Sequence, residues 1–404
     1  MKNKFTTFFL VIVFTLCNLS QVLGEEFIFE ISDLEITENG NIYKGNNRGV
    51  IRTDSQLKLI SDNFEYLKKI NRLEANGDVQ LFDLNNDITI NAQQIFYLKN
   101  EEKIFTVGKT LIKVSNKYDI EGFDLTFSKN KMILSSEKNA IITDSESNTY
   151  KLEQFQYSID EEILKGKNTT VITNDKKDKS DKFFFKTGFF DLKKNKFLGK
   201  DIVAKFHKNL FGNNKNDPRI SAVSGYGDKI NTYFKKGVFT SCKKTDKCPP
   251  WKITSDEIHH DKIKKQINYK NAWLEIYDFP VVYFPKFFHP DPSVKRQSGL
   301  LMPEFGSSNN LGGSIYVPYF LAISDDKDLT IKPRLFEDNK FLLQNEYRQK
   351  TKNSFTIADF SIVNGHDSSA QDKGGTRSHL FTNTLVDLSL DSFKKSMLQI
   401  NYQK

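Results

Sequence analysis

Ile90-Asn91-Ala92-Gln93-Gln94-Ile95-Phe96-Tyr97 is the stretch on which the fold turns. Ile90 and Ala92 are two apart, the period of a strand with one buried face, and Ile95 and Tyr97 repeat that spacing. Between Ala92 and Ile95 the step is three, which would flip the apolar set to the opposite face. A bulge or corner at this point keeps one interior. The same spelling recurs at Leu59-Ser61-Phe64-Tyr66 and Ile120-Gly122-Leu125-Phe127. Looser copies stand at Tyr150-Leu152-Phe155-Tyr157, Phe185-Thr187-Phe190-Leu192, Ile220-Ala222-Gly225 and Ile253-Ser255-Ile258-His260. Their starts lie about 30 to 35 residues apart, the spacing of stacked supersecondary units. Glycines precede most copies (Gly40, Gly77, Gly108, Gly166, Gly199), with Gly77-Asp78-Val79-Gln80-Leu81 the clearest short strand.

No such unit can bury its own apolar face, so the units must stack. The expectation is an all-β jelly roll or solenoid over residues 25–278, lined by Leu59, Phe64, Ile90, Ile95, Ile120, Leu125, Phe155 and Phe190. Two readings of that interior stay open on residue types: a packed core, or an open trough that holds an acyl chain.

Ahead of the repeats, Lys2 and Lys4 precede the apolar run Phe8 to Leu16, and Val22-Leu23-Gly24 ends in a small residue. This is the pattern of a secretory signal over residues 1–24. The run is too short for a membrane-spanning helix. Leu16 stands before Cys17, where a lipoprotein signal needs a small residue. Export makes a disulfide the default reading of Cys242 and Cys248, to each other or to partners elsewhere.

Composition narrows the function classes. The chain has 404 residues, 38% hydrophobic and 27% charged, with 35 Phe among its aromatics. A mean hydropathy of −0.52 excludes a polytopic helical membrane protein but not a strand-built barrel. The net charge of +8 is interspersed with acidic residues, without the concentrated basic stripe of a nucleic-acid binder.

The most specific segment runs from Val238 to Pro303. It contains Val238-Phe239-Thr240-Ser241-Cys242, Trp251, Ser255-Asp256-Glu257-Ile258-His259-His260-Asp261 and Asn271-Ala272-Trp273-Leu274-Glu275-Ile276. Phe279-Pro280-Val281-Val282-Tyr283-Phe284-Pro285 and Lys295-Arg296-Gln297-Ser298-Gly299-Leu300-Leu301-Met302-Pro303 follow. These residues closely resemble the outer-membrane lipopolysaccharide-assembly family LptD, the organic-solvent-tolerance family. The resemblance implies a periplasmic jelly roll joined to a very large outer-membrane barrel. Lipopolysaccharide would arrive from a periplasmic bridge of similar jelly rolls, docked by strand addition near Phe27 to Ile42. Its acyl chains would ride inside the jelly roll, and its glycan would leave through a barrel whose lumen a lipoprotein plugs. No covalent chemistry and no cofactor are implied. The family ties jelly roll to barrel through disulfides, with a cysteine matching Cys242. Partners near the far C-terminus are missing from these 404 residues, and Cys248 is additional. The expectation is therefore a truncated barrel.

From Ser298 the pattern becomes that of a membrane barrel. Leu329, Ile331, Pro333 and Leu335 alternate with Thr330, Lys332 and Arg334, one apolar face and one polar. Strands are expected near 298–306, 312–323, 328–336, 340–350, 354–364, 379–390 and 393–403, after a linker over 279–297. Short turns at 324–327 and 351–353 then face the periplasm, and the polar stretch 365–378 faces outward. Pro303 and Pro318 fall in the first two strands, where a missing N–H weakens the ladder. The resemblance makes them a lateral gate. Lys295 and Arg296 have two readings, solvated linker charge or contact with lipid phosphates.

His259 and His260 lack the spacing of a zinc motif, and His260 fills the aromatic slot of its repeat. No nucleophile elbow, P-loop or dinucleotide fingerprint is present. The reading is a non-enzymatic lipid translocon. Its rivals are a soluble periplasmic β-solenoid acting as carrier or scaffold, and a secreted adhesin of stacked β units.

Overall fold

The computed structural model describes residues 27–53, 56–175, 180–207, 217–243, 249–291, 294, 296–301, 303–308, 312–337, 340–366, 375–388 and 395–403. The expected signal segment 1–24, Cys248 and Lys295 lie outside the described residues. Among the described residues the chain is all-β, with a 23-stranded sheet followed by a nine-stranded one, and four short 3-10 turns. It divides into two units, Met1–Lys264 with Asn268–Phe287, and Lys265–Ile267 with Phe288–Lys404.

The first unit is a stack of antiparallel strands, each bent near its middle, so that one strand serves two leaves. Arg72–Asp83 shows how. Its first half pairs with Asn63–Leu67 and its second half with Leu57–Ser61. Along Ile88–Leu98, its whole length pairs with a register shift between Asn76 and Val79. The next pairing, Ile88–Leu98 with Lys103–Val114, shifts between Ala92 and Gln94. This is the bulge that the three-residue step requires. Ile90, Ala92, Ile95 and Tyr97 are all buried on one interior as a result. Gly77 makes the first of these bends possible. It sits at φ +79°, and an added Cβ would lie 2.6 Å from Asp62 Oδ2. Arg48 then braces the bend, donating to Asp62 Oδ1 at 2.8 Å and to Asp78 Oδ2 at 3.0 Å.

At one end of each bent strand the chain reverses through a left-handed corner: Asn71, Glu102, Met132 and Glu162 have φ between 49° and 53°. Each corner is tied to the one below by a backbone bond. Lys99 N donates to Asn71 O, Lys129 N to Glu102 O, Ile159 N to Met132 O and Leu192 N to Glu162 O. The opposite ends carry a matching set, with Leu84 N to Gln56 O, Ser115 N to Asp87 O and Asp175 N to Ser147 O. Two lips therefore run along the stack, one at each end of the bent strands.

The expected linker over 279–297 is only in part a linker. Phe279–Pro290 is a strand of the first sheet. Trp273 packs on Tyr283 with ring centroids 5.0 Å apart, and Tyr283 donates to Asn271 Oδ1 at 3.1 Å. Three prolines disguise this strand in the sequence, and a position ending the sheet is where prolines are tolerated.

The second unit is an antiparallel meander of barrel type. From Lys327–Phe336 onward, Phe341–Lys350, Ser354–His366, Gly375–Asp387 and Lys395–Gln403 pair in chain order. The two strands expected before them are each split in two. Gly299–Leu300 and Glu304–Ser308 flank Pro303, and Gly312–Tyr316 and Tyr319–Ser324 flank Pro318. Proline cannot donate to the ladder, so the strand breaks at the proline rather than running through it. No helix of the described residues is long and apolar enough to cross a membrane.

Candidate functional site

All eight interior residues point inward and are buried: Leu59, Phe64, Ile90, Ile95, Ile120, Leu125, Phe155 and Phe190. The interior is not uniform along the stack. Over the first rungs the two lips are shut. Phe27 enters from one lip and packs edge-on against Tyr66 at 4.8 Å and Tyr97 at 6.0 Å, with Lys99 Nζ 4.8 Å from its ring centre. Farther along, Lys117 and Tyr118 reach from one lip to Glu162 on the other. Lys117 Nζ donates to Glu162 Oε1 at 2.7 Å, and the Tyr118 hydroxyl to Oε2 at 2.9 Å. Beneath them the Tyr118 and Tyr157 rings meet edge-on at 5.5 Å. The Lys117 hydrogen bond holds the Glu162 carboxyl below its ordinary range, aided by Tyr118 and by the charge of Lys193, against partial burial. Burial, then the bond to Glu162, pushes the Tyr118 hydroxyl up.

Immediately beyond this bridge the lips part over a cleft of about 480 Å³. Its floor is aromatic, formed by Tyr150, Phe183, Phe185, Phe190, Phe197 and Phe234. Its rim is polar and mostly charged: Glu146 and Asp181 stand on one lip, and Asp191, Lys196, Asp228, Lys229 and Lys262, beside His260, on the other. Apolar floor and charged rim together suit an amphiphile whose tail enters and whose head stays in water. Tyr150, Phe185 and Phe190 were visible in the repeats. Lys117, Glu162 and the rim apart from His260 were not, because charged residues at corners have no periodicity to mark them.

His259 does not face this cleft. Its ring stacks on Tyr233 at 4.2 Å, and its Nε2 meets Asn231 Oδ1 at 2.8 Å. Among the described residues, no group of three or more His, Cys, Asp and Glu side chains is arranged to hold a metal. Cys242 is half-buried, with Sγ 3.6 Å from Trp251 O, and its carbonyl accepts from Arg219 Nη1 at 2.6 Å.

In the second unit the prolines stand opposite gaps in the ladder. Leu301 N donates to Pro318 O at 2.8 Å, and Pro318 has no N–H to return the bond. Val317 N donates to Pro333 O at 3.3 Å, and Pro333 likewise returns nothing. Arg296 is engaged by the protein. It donates to Asp325 O and to Asp328 Oδ2, each at 2.6 Å, while Arg348 Nε takes Asp328 Oδ1 at 2.8 Å. Asp328 is buried between the two guanidinium groups. The same polar face continues through Lys332–Glu346 at 2.8 Å and Asp359–His379 at 3.1 Å. On the other face, Ile331, Asn345, Phe360, Leu380 and Tyr402 lie in one row across five strands. Phe360, Leu380 and Tyr402 are exposed and form an apolar row on that face.

Comparison with known proteins falls on this second unit and the end of the first. A family model described as "LptD protein" matches residues 267–380. This stretch of the chain is similar to the LptD family. An LPS-assembly protein LptD of Pseudoalteromonas translucida (strain TAC 125) is 35% identical over 130 residues, which are 32% of this chain and 17% of that protein. The LPS-assembly protein LptD of Legionella pneumophila (strain Paris) is 32% identical over 136 residues, 34% of this chain and 16% of its own. That of Paraburkholderia xenovorans (strain LB400) is 32% identical over 146 residues, 36% and 18%. The matched stretch thus spans under a fifth of these LptD proteins. Among solved structures, the WD40 domain of SCAP from fission yeast aligns at 8% identity with a TM-score of 0.17, a likeness that carries no argument.

Proposed function

We propose that this chain takes part in moving lipopolysaccharide to the outer leaflet of the outer membrane. The observation that carries the reading is the aromatic cleft between charged lips, in a chain whose residues 267–380 are LptD-like. In this reading the first unit lies in the periplasm and holds acyl chains against Phe185, Phe190 and Phe234, with the phosphorylated sugar outside the lips. The second unit forms membrane strands of the barrel, through which the glycan leaves, and a lipoprotein fills the lumen. No bond is made or broken, so the protein acts as a translocon and not as an enzyme. An adhesin has no use for the cleft, and a sheet folded in water has none for the exposed row at Phe360, Leu380 and Tyr402.

Photo-crosslinking tests the core of this reading. A p-benzoylphenylalanine at Phe234 is expected to capture lipopolysaccharide in cells, and one at the outward-facing Ile141 to capture none. No adduct at Phe234 would sink the carrier.

Docking of the periplasmic bridge is assigned to the first edge. Asp33–Thr37 pairs with Ile42–Asn46 and, among the described residues, has a ladder partner on that side only. Its free edge suits strand addition. Replacing Leu34 and Ile36 together with proline should abolish capture of the bridge protein in a pull-down, whereas alanine at both should retain most of it.

A further inference from the structure

Resting on the carrier reading, we infer that Glu162, held by Lys117 and Tyr118, is a latch that must open for each lipid to pass. An amphiphile with its tail between the leaves and its head in water needs a parted mouth along its whole path. The bridge from Lys117 and Tyr118 to Glu162 crosses that mouth, from one lip to the other, at 2.7 and 2.9 Å. On one side of it lies a densely packed interior at Ile95, Ile120 and Phe127; on the other lies the open cleft. The latch therefore separates a shut segment from a loaded one and resists backward slippage of a lipid already in the cleft.

The bridge is built to part. Lys117 is largely exposed while Glu162 is mostly covered, so the contact is a charge-assisted bond at the water boundary and not a buried pair. Parting it returns Lys117 to water, while Glu162 and Tyr118, both mostly covered, each lose a partner, which sets the cost of opening.

Nitroxides attached through p-acetylphenylalanine at positions 116 and 161, on the two lips, read the opening by pulsed electron resonance in the full chain. The native protein should give one short, narrow distance. Glu162→Gln, which keeps the shape and removes the charge, should raise the long-distance population about tenfold, as loss of about 1.4 kcal/mol does. The paired exchange of Lys117→Glu with Glu162→Lys should restore the short distance. An unchanged distribution in Glu162→Gln overturns the latch.

A second readout separates this failure from that of the carrier. With p-benzoylphenylalanine at Phe127, Glu162→Gln should increase lipid adducts relative to those at Phe234. Adducts at Phe234 with unchanged yield at Phe127 overturn the latch and leave the carrier. No adducts at Phe234 in the otherwise native chain remove both.

Discussion

On the proposed translocon reading, alanine at both Pro303 and Pro318 is expected to leave far less lipopolysaccharide at the cell surface while the chain still folds. The reason lies in the hydrogen-bond pattern. Leu301 N already donates to Pro318 O, so an alanine at 318 gains an N–H facing a strand within reach. The four segments Gly299–Leu300, Glu304–Ser308, Gly312–Tyr316 and Tyr319–Ser324 would then merge toward two continuous strands. An added bond is worth about 0.5–1.5 kcal/mol, so the one at 318 alone shifts a lateral opening by roughly 2- to 13-fold, and any gained at 303 adds to it. The measurement is surface lipopolysaccharide in cells depending on the double variant. Unchanged surface lipopolysaccharide would show that these strands do not part for the lipid.

Asp328→Ala should unfold the second unit far more easily than any change at the neighbouring turn. The carboxylate is buried and shared by Arg296 and Arg348, so its removal brings two guanidinium groups together with only Glu346, 3.7 Å from Arg348 Nε, left as a nearby counter-charge. Both guanidinium groups are partly exposed, so the loss is that of charge-assisted hydrogen bonds, about 1.5–3 kcal/mol, and not that of a stranded buried charge. Asp328→Asn keeps the acceptor oxygen and loses the charge, and should fall between. Asp326→Ala, in the exposed turn, is the control and should change little. Denaturant titration of the protein in detergent micelles gives the order directly. A loss for Asp328→Ala no larger than for Asp326→Ala would mean that the two arginines find other partners.

The repeats were legible because their residues are interior, and interiors have a period. Ile90, Ala92, Ile95 and Tyr97 even announced the bulge, since no unbroken strand can bury all of them. The alternation from Leu329 to Leu335 announced a strand of the second sheet in the same way. What the pattern could not reveal were contacts between elements distant in the chain. Lys117 and Glu162 are 45 residues apart, and each alone looks like an ordinary charge at a turn. Arg296 read as linker charge or a lipid contact, because Asp328 becomes its neighbour only once Lys327–Phe336 has folded. Prolines misled twice. They concealed the strand Phe279–Pro290, and they were placed within strands that in fact end at them.

The bonds between successive corners also bear on how the chain's dimensions can change. Each rung of about 30 residues adds two strands to each leaf, and neighbouring strands are about 4.8 Å apart. Duplicating or deleting one rung would therefore lengthen or shorten the stack by about 10 Å. Its new corner, at the place of Asn71, Glu102 or Met132, would simply accept the next N–H in line. The length of the stack can thus evolve in whole rungs, by a ruler whose graduations are single hydrogen bonds.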